Sequence, residues 1–318
     1  MKAVLTSLAE LKPKPIEKLS PAEARKQPGP PDAVKRTLQK QGRPITPEAV
    51  GSVKDIQIPG PGGNITARVY TPAGADASAP LPVLVYFHGG GWVIAGVGAY
   101  DSSARALANA AGAMVVSVGY RYAPENPFPA AHEDSYAATQ YVMKNAASMG
   151  GDPKKVAVGG ESAGGNLATA VCLMARDRKG LMPVHQLLVY PVTDTSLAYP
   201  SVETYKNAKP LNKAMLVWFV GHTVKNPKQL KSPYLAVVKN PNVSGLPPAT
   251  VITAEIDPLL SESKTYADKL QKAGVPVRYK MYNGVTHEFF GMGAVIDKAK
   301  EAVAFAAEGL KADFEKAQ

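Results

Sequence analysis

The chain has 318 residues, of which 45% are hydrophobic and 19% are charged, a composition typical of a globular protein. No apolar run approaches the roughly 18 residues that a membrane-spanning helix needs. Half of the formal net charge of +10 comes from the first fifty residues, which hold ten Lys or Arg against five Asp or Glu. No zinc-finger, helix-turn-helix or RNA-binding pattern accompanies this basic flank, so we expect no nucleic-acid partner. Cys172 is the only cysteine, which excludes an intrachain disulfide.

Residues 1 to about 50 combine proline and charge with short helical patterns, such as that of residues 31–38. We expect them to form an appendage that rests on the body of the protein. Residues 1–10 carry one lysine and a weak apolar patch that Glu10 ends, which is too short for the hydrophobic part of a secretory leader. The sequence is therefore typical of a cytoplasmic protein.

From Val53 onward the patterns are those of a sheet protein. Residues 53–58 and 65–70 alternate apolar and polar side chains around a Pro-Gly-rich stretch, which predicts an antiparallel hairpin at a sheet edge. Residues 83–87 are continuously apolar, as in a strand covered on both faces. Strand and helix patterns then alternate, which predicts βαβ units and a parallel sheet. The later strands are expected at 113–118, 155–159, 186–190, 249–254 and 275–281, and the helices near 101–111, 131–148, 261–273 and 294–315.

Residues of about 194–240 interrupt this alternation. They carry Trp218, Phe219 and several prolines but no clear strand pattern, so we expect an inserted lid. The α/β alternation resumes afterwards, and Asn283-Gly284 predicts a turn after the last strand.

The stretch Gly160-Glu161-Ser162-Ala163-Gly164 lies between a strand pattern and a small-residue helix. This G-x-S-x-G arrangement in that context is typical of a nucleophile elbow, in which glycines allow the sharp turn that exposes a serine hydroxyl. The N–H of Ala163, at the start of the helix, is a candidate donor to a developing oxyanion. The alternative interpretation is a glycine-rich turn in which the serine merely caps the helix.

The predicted strand at 83–87 runs directly into His88-Gly89-Gly90-Gly91. An HGGG motif after the third strand forms the second half of an esterase oxyanion hole, because consecutive glycines let backbone N–H groups approach the substrate. We take the N–H groups of Gly90 and Gly91 as donors. A phosphate-binding glycine loop is the alternative, but neither G-x-G-x-x-G nor Gly-Lys-Ser/Thr occurs here.

A serine nucleophile needs a histidine base. In proteins with a nucleophile elbow, the catalytic residues follow the order serine, acid, histidine, and the histidine comes after the last strand. Of the five histidines, His287 alone fits that place. His88 is better suited to bracing its loop, and His132 lies in a predicted helix before the nucleophile. His185 and His222 follow the nucleophile but lie near the sixth predicted strand and in the predicted lid, before the last strand.

Two aspartates compete for the role of the orienting acid. Asp257 follows the penultimate predicted strand, and Asp194 follows the strand before it. We favour Asp257, because a right-handed winding sets it beside the strand that leads to His287. Asp194 is better suited to turning the chain into the lid.

With these residues in place, the chain resembles the hormone-sensitive-lipase-like carboxylesterases of bacteria and archaea, from about Val53 to its C-terminus. The motifs that carry the resemblance are His-Gly-Gly-Gly-Trp at 88–92, Tyr-Arg-Tyr-Ala-Pro-Glu at 120–125, Gly-Glu-Ser-Ala-Gly-Gly at 160–165, Asp-Pro-Leu at 257–259 and His-Glu-Phe-Phe at 287–290. Glu161 departs from the usual Asp or Thr, and Ser261 and Ser263 replace an acidic residue and a glycine.

The resemblance implies an α/β-hydrolase fold, with a mostly parallel eight-stranded sheet flanked by helices and a helical cap. It assigns the catalytic triad to Ser162, Asp257 and His287, with a two-step hydrolysis through an acyl-enzyme and no metal or organic cofactor. Residues 1–50 and 195–225 would form the cap, and 51–194 and 226–318 the catalytic domain.

A capped pocket predicts a small-molecule partner, namely a short- to medium-chain acyl ester. The candidate pocket residues are Leu211, Met215, Trp218, Phe219 and Leu259, and packing inside the cap is the alternative for each. A ligand-binding receptor on this scaffold would have lost the histidine, whereas amide, lactone or polyester hydrolases would share every motif. Family members commonly dimerise through the last strand and helix, so the resemblance also allows a homodimer.

Overall fold

One eight-stranded sheet runs through the centre of the protein in a computed structural model that describes residues 1–76 and 78–317. Its strands are β1 (Ser52–Gly60), β2 (Gly63–Thr71), β3 (Leu81–Phe87), β4 (Met114–Val118), β5 (Gly151–Glu161), β6 (Gln186–Val189), β7 (Ala249–Ile256) and β8 (Val277–Thr286). They lie in the order β1-β2-β4-β3-β5-β6-β7-β8. The β1–β2 hairpin is antiparallel, as is its pairing with β4, and every later pairing is parallel. The predicted edge hairpin and mostly parallel sheet are thus confirmed.

Helices cover both faces of the sheet. They are α1 (Lys2–Glu10), α2 (Pro21–Ala24), α3 (Pro30–Lys40), α4 (Asp101–Ala111), α5 (Ala130–Asn145), α6 (Ala163–Asp177), α7 (Pro200–Thr204), α8 (Lys213–Thr223), α9 (Leu260–Lys272) and α10 (Asp297–Lys316). Side chains of α5, α6 and α9 join one apolar core, and those of α4 and α10 join the core on the other face. Among the described residues, no helix is both long and apolar enough to cross a membrane.

Strand β3 shows how sequence produces this layered arrangement. Val83, Val85 and Phe87 belong to the core beneath α5, α6 and α9, whereas Leu84 and Tyr86 belong to the core beneath α4 and α10. All five side chains are fully buried. Successive side chains of a strand point to opposite faces, so a strand between two helical layers must be apolar throughout.

The end of β8 differs from the sequence prediction. We expected a turn at Asn283-Gly284, but the strand continues to Thr286. Ala254 of β7 pairs with Tyr282 and Ile256 pairs with Thr286, so β8 carries two extra residues in a bulge. Gly284 has φ +67°, which glycine adopts easily, and its N–H donates to Glu255 Oε2 at 2.6 Å. The strand therefore ends immediately before His287.

Two parts of the chain that are distant in sequence meet above the carboxyl ends of the strands. The N-terminal segment is fastened by Arg25, whose guanidinium donates to the carbonyls of Val93 at 2.8 Å and Ala123 at 2.9 Å. Trp218 of α8 donates its indole N–H to the carbonyl of Leu19 at 3.1 Å. The N-terminal helices and the segment with α7 and α8 are thus held to the body and to each other.

Candidate active site

Ser162 occupies a strained turn between β5 and α6. Its φ of +57° and ψ of −118° are rarely adopted by a residue with a side chain. The flanking glycines are sterically required, because a Cβ at Gly160 would lie 2.3 Å from the carbonyl oxygen of Gly164, and one at Gly164 would lie 1.9 Å from that of Phe87. The turn presents the serine hydroxyl at the carboxyl edge of the sheet, where Ser162 lines a cavity.

The structure brings Ser162, His287 and Asp257 together in a hydrogen-bonded chain. Nδ1 of His287 lies 2.7 Å from Oδ2 of Asp257, and Nε2 lies 2.9 Å from Oγ of Ser162. A carboxylate only accepts, so Nδ1 carries the hydrogen and Nε2 is left to accept from the serine. Asp257 is fully buried and also accepts from the N–H of Leu259 at 2.9 Å. This geometry can move a proton from the hydroxyl to the imidazole.

Burial acts to lower the pKa of His287, but the negative charge and hydrogen bond of Asp257 outweigh it, with help from Glu288 and Glu161, so that the pKa is raised. The imidazole is thus in an environment that favours its charged form. Such an environment suits a group that becomes an imidazolium while it removes a proton.

The glycine loop after β3 lies beside Ser162. Gly90 and Gly91 have φ +98° and +58° and both line the cavity. A Cβ at Gly91 would lie 2.2 Å from the ring of Phe219, so only glycine fits beneath α8. Ala163 is the first residue of α6, where backbone N–H groups have no partner within the helix. The N–H groups of Gly90, Gly91 and Ala163 are therefore candidate donors for a developing oxyanion.

His88 braces this loop as expected from sequence. Its ring stacks on Tyr120 with centroids 4.3 Å apart, and the Tyr120 hydroxyl donates to the His88 carbonyl at 2.8 Å. Burial lowers the pKa of His88 to about 4, so the ring stays neutral at ordinary pH. The other histidines are engaged elsewhere: His132 with Asn166, His185 with Asp313, and His222 against Trp218.

Asp194, the rival acid, does not contact His287. Its carboxylate accepts from Lys239 at 2.8 Å and from the Ser196 hydroxyl at 2.9 Å, and it stabilises the turn into the segment with α7. These partners hold the pKa of Asp194 below its ordinary value against the effect of burial.

Serine side chains brace the loop that carries Asp257. The Ser201 hydroxyl donates to the carbonyl of Pro258 at 2.6 Å and accepts from the N–H of Ser261 at 3.0 Å. The Ser263 hydroxyl donates to the carbonyl of Pro191 at 2.8 Å. The Ser261 hydroxyl accepts from the N–H of Ser201 at 3.2 Å, so both serines that depart from the family pattern connect this loop to its neighbours.

A cavity of about 620 Å³ is lined by Ser162 and by residues of the N-terminal segment and of the segment with α8. Four of the five predicted pocket residues line it: Leu211, Met215, Phe219 and Leu259. Trp218, the fifth predicted pocket residue, is the exception. It is not among the lining residues of the described chain, and it packs edge-on against Phe219 with centroids 5.3 Å apart while bonding Leu19. On α8 it points about 100° away from Phe219, since helical residues are spaced by that angle.

The sequence interpretation missed a group of acidic and phenolic side chains around His287. Glu161 accepts from the hydroxyls of Tyr86 and Tyr190, and the ring of Tyr190 packs on His287 with centroids 4.5 Å apart. Burial, and then the charge of Glu288, raise the pKa of Glu161 to about 7. Glu288 accepts from the Tyr100 hydroxyl at 2.7 Å. The one available sequence signal was the adjacency of each glutamate to a catalytic candidate.

Metal ligands are a separate question. Within residues 1–76 and 78–317, no group of three or more His, Cys, Asp or Glu side chains is placed to hold a metal ion.

Comparison with known proteins gives a consistent result. Residues 84–291 match the family described as alpha/beta hydrolase fold. Carboxylesterase NlhH of Mycobacterium tuberculosis is 42% identical over 253 residues, 78% of each chain. The ethyl acetate hydrolase of Pseudomonas putida is 35% identical over 251 residues, 79% of each chain. A solved esterase of Pyrobaculum calidifontis is 37% identical and covers 98% of both chains with a TM-score of 0.84.

The chain therefore belongs to the α/β-hydrolase fold family, and within it to the hormone-sensitive-lipase-like carboxylesterases. The resemblance drawn from the motifs is confirmed. The protein is accordingly an enzyme of the carboxylic ester hydrolase class.

Proposed function

We propose that this protein hydrolyses short- to medium-chain acyl esters through an acyl-enzyme formed on Ser162. The observation that carries the proposal is the hydrogen-bonded chain from Ser162 through His287 to Asp257, with distances of 2.9 Å and 2.7 Å. It opens onto a cavity that can enclose a small ester. A ligand-binding receptor without catalysis is disfavoured, because His287 lies within hydrogen-bond reach of the serine.

In the first step, the Ser162 hydroxyl attacks the ester carbonyl while its proton moves to Nε2 of His287. Asp257 holds the imidazole in the tautomer with hydrogen on Nδ1 and stabilises the positive charge that develops. The imidazolium then protonates the leaving alcohol. In the second step, water attacks the acyl carbon with His287 as base, and Ser162 recovers its proton when the acid departs.

The carbonyl oxygen becomes negatively charged in both steps. We assign its stabilisation to the N–H groups of Gly90, Gly91 and Ala163, since Gly90 and Gly91 line the cavity with Ser162 and Ala163 begins α6 directly after Ser162. Loss of one such donor typically costs about 10²–10³-fold in turnover. The chemistry proposed needs no metal or organic cofactor.

The cap supports the proposed substrate range. Apolar side chains of α8 and of the loop before it, Leu211, Met215 and Phe219, line the cavity together with Leu259. A capped site with these side chains favours dispersed small esters over an extended fat surface. The relative named as an ethyl acetate hydrolase points in the same direction. We assign residues 1–50 and 195–225 to the cap, and 51–194 and 226–318 to the catalytic domain.

Location and assembly are further parts of the proposal. A buried free thiol at Cys172 suits the reducing cytoplasm, which cell fractionation would test. The outer strand β8 is paired only with β7, so a second copy could extend the sheet into a homodimer. Light scattering coupled to size exclusion would give the mass in solution.

The central test is a series of p-nitrophenyl esters from acetate to dodecanoate with wild-type protein and Ser162→Ala. We expect the highest kcat/KM between butanoate and octanoate, and loss of hydrolysis by several orders of magnitude in the variant. Ser148→Ala is the matched control, since that exposed serine lies at the opposite end of β5. Unchanged hydrolysis in Ser162→Ala would remove the nucleophile from the proposal.

A further inference from the structure

Glu288 is held in an unusual backbone conformation beside the catalytic candidate His287. Its φ of +68° and ψ of +5° lie in the left-handed region, where side chains with a Cβ are disfavoured. Strain of this kind concentrates at functional sites. The side chain is 19% exposed and lines the same cavity as Ser162. A charged side chain in this place calls for an explanation beyond packing.

The carboxylate of Glu288 is held in place through its Oε1 oxygen. Oε1 accepts from the hydroxyl of Tyr100 at 2.7 Å. Tyr100 itself lies close to the glycine loop after β3, since a Cβ at Gly89 would lie 2.3 Å from the phenolic oxygen of Tyr100. The carboxylate thus has a rigid support and cannot swing freely away from the cavity.

The distance between Glu288 and His287 fits one bridging water. Oε1 lies 3.8 Å from Nε2 of His287, too far for a direct hydrogen bond but suitable for a single water molecule bonded to both. In the acyl-enzyme, the region facing Nε2 has just been vacated by the alcohol. Nε2 can accept one hydrogen bond there, and Oε1 has a second lone pair besides the one that accepts from Tyr100. Water has two hydrogens to give to these two acceptors.

We propose that Glu288 positions the hydrolytic water during deacylation, a role that rests on the proposed acyl-enzyme mechanism. The oxygen of the water forms a bond to the acyl carbon while one proton moves to Nε2. The second hydrogen stays on the oxygen and remains hydrogen-bonded to Glu288. When the tetrahedral intermediate collapses, the bond from carbon to Oγ breaks, Ser162 takes the proton from Nε2, and the acid departs with the second hydrogen still attached.

Methanol separates this role from a structural one. Methanol has a single hydroxyl hydrogen, which it must give to His287, so it has none left for Glu288. Replacing Glu288 should therefore slow the reaction of the acyl-enzyme with water more than its reaction with methanol. A variant that merely distorts the site would slow both reactions alike.

The experiment follows p-nitrophenyl butanoate hydrolysis in water and in dilute methanol for wild type and Glu288→Gln. We expect hydrolysis of the acyl-enzyme to fall about 10- to 100-fold, the effect of one hydrogen bond to a charged group. A burst of p-nitrophenol should appear, kcat/KM should change little, and the ratio of methyl butanoate to butanoic acid should rise about tenfold or more. Glu301→Gln, which removes an equal charge from an exposed position on α10, should match wild type.

Glu288→Gly provides a second variant, because glycine relieves the backbone strain. Its Tm should not fall below that of wild type, yet it should show the same shift toward methanolysis. Equal losses of hydrolysis and methanolysis in both variants, or no loss in either, would overturn the role of Glu288. Absence of any burst or turnover in the wild-type protein would instead overturn the acyl-enzyme proposal itself.

Discussion

At the scale of single residues, His287 is surrounded by negative charge. Asp257 lies at Nδ1, Glu288 lies beyond Nε2, and Glu161 is joined to the imidazole through Tyr190. These charges overcome the effect of burial and raise the pKa of His287. Because the base must be neutral to accept a proton, its function is lost on acidification at a higher pH than for an ordinary histidine.

Replacing Asp257 by Asn tests which acid orients this base. The amide would no longer select the tautomer with hydrogen on Nδ1, so we expect kcat to fall by about 10⁴-fold. Asp194→Asn is the matched control, because that carboxylate bonds Lys239 and Ser196 without touching His287. Steady-state rates on p-nitrophenyl butanoate compare the two. A larger loss in Asp194→Asn would exchange the assignment.

At the scale of elements, different faces of α8 contact the cavity, the N-terminal segment and solvent. Met215 and Phe219, four residues apart, lie on one face and line the cavity, whereas Trp218 bonds the N-terminal segment. Val217 is 55% exposed on the outer side. The helix is apolar nearly all round, so hydropathy alone cannot tell these faces apart, whereas the helical spacing can once one contact is known.

This division of α8 predicts different effects for the same substitution at two positions. Met215→Trp should fill part of the cavity and reduce kcat/KM for p-nitrophenyl octanoate by about tenfold or more relative to acetate. Val217→Trp adds the same ring to the exposed side and should leave the chain-length profile unchanged. Equal profiles for the two variants would mean that α8 does not bound the acyl or alcohol site.

At the scale of the whole molecule, the proposed cap depends on contacts between segments far apart in the chain. Arg25 connects the N-terminal segment to the loops after β3 and β4, and its guanidinium also pairs with Glu125 at 2.7 Å. This side chain is only 26% exposed and satisfies two backbone carbonyls that would otherwise lose partners. It therefore stabilises the cap more than an exposed ion pair would.

Arg25→Ala should loosen the N-terminal segment without unfolding the body. We expect amide hydrogen exchange of residues 20–40 to become about tenfold faster, which corresponds to about 1–2 kcal/mol of local stability. Arg36→Ala lies in the same segment and removes an exposed pair with Glu10 at 3.5 Å, so it serves as the control. Mass-spectrometric exchange compares them. Similar exchange in both variants would mean that Arg25 is not the anchor.

Sequence reasoning was most successful where the structure is encoded locally. The elbow at Ser162 and the glycine loop at Gly90 and Gly91 require particular residues at adjacent positions, so a short pattern identifies them. The strands of the parallel sheet were predicted for a similar reason, since they are apolar on both faces.

Contacts between distant segments were beyond local patterns. Trp218 was predicted to line the pocket, but its side chain instead contacts the N-terminal segment. No local sequence pattern shows where that segment lies. The contact of Glu288 with Tyr100 joins residues that are 188 positions apart. Asn283-Gly284 carries a turn signature, but pairing with β7 absorbs it as a bulge, because tertiary pairing overrides a local preference.

The bulge in β8 takes up surplus chain length immediately before the base. Four residue steps of β8, from Tyr282 to Thr286, span the same stretch of sheet as two steps of β7, from Ala254 to Ile256. Because pairing with β7 is regained at Thr286, the surplus is absorbed locally and does not displace the imidazole that follows.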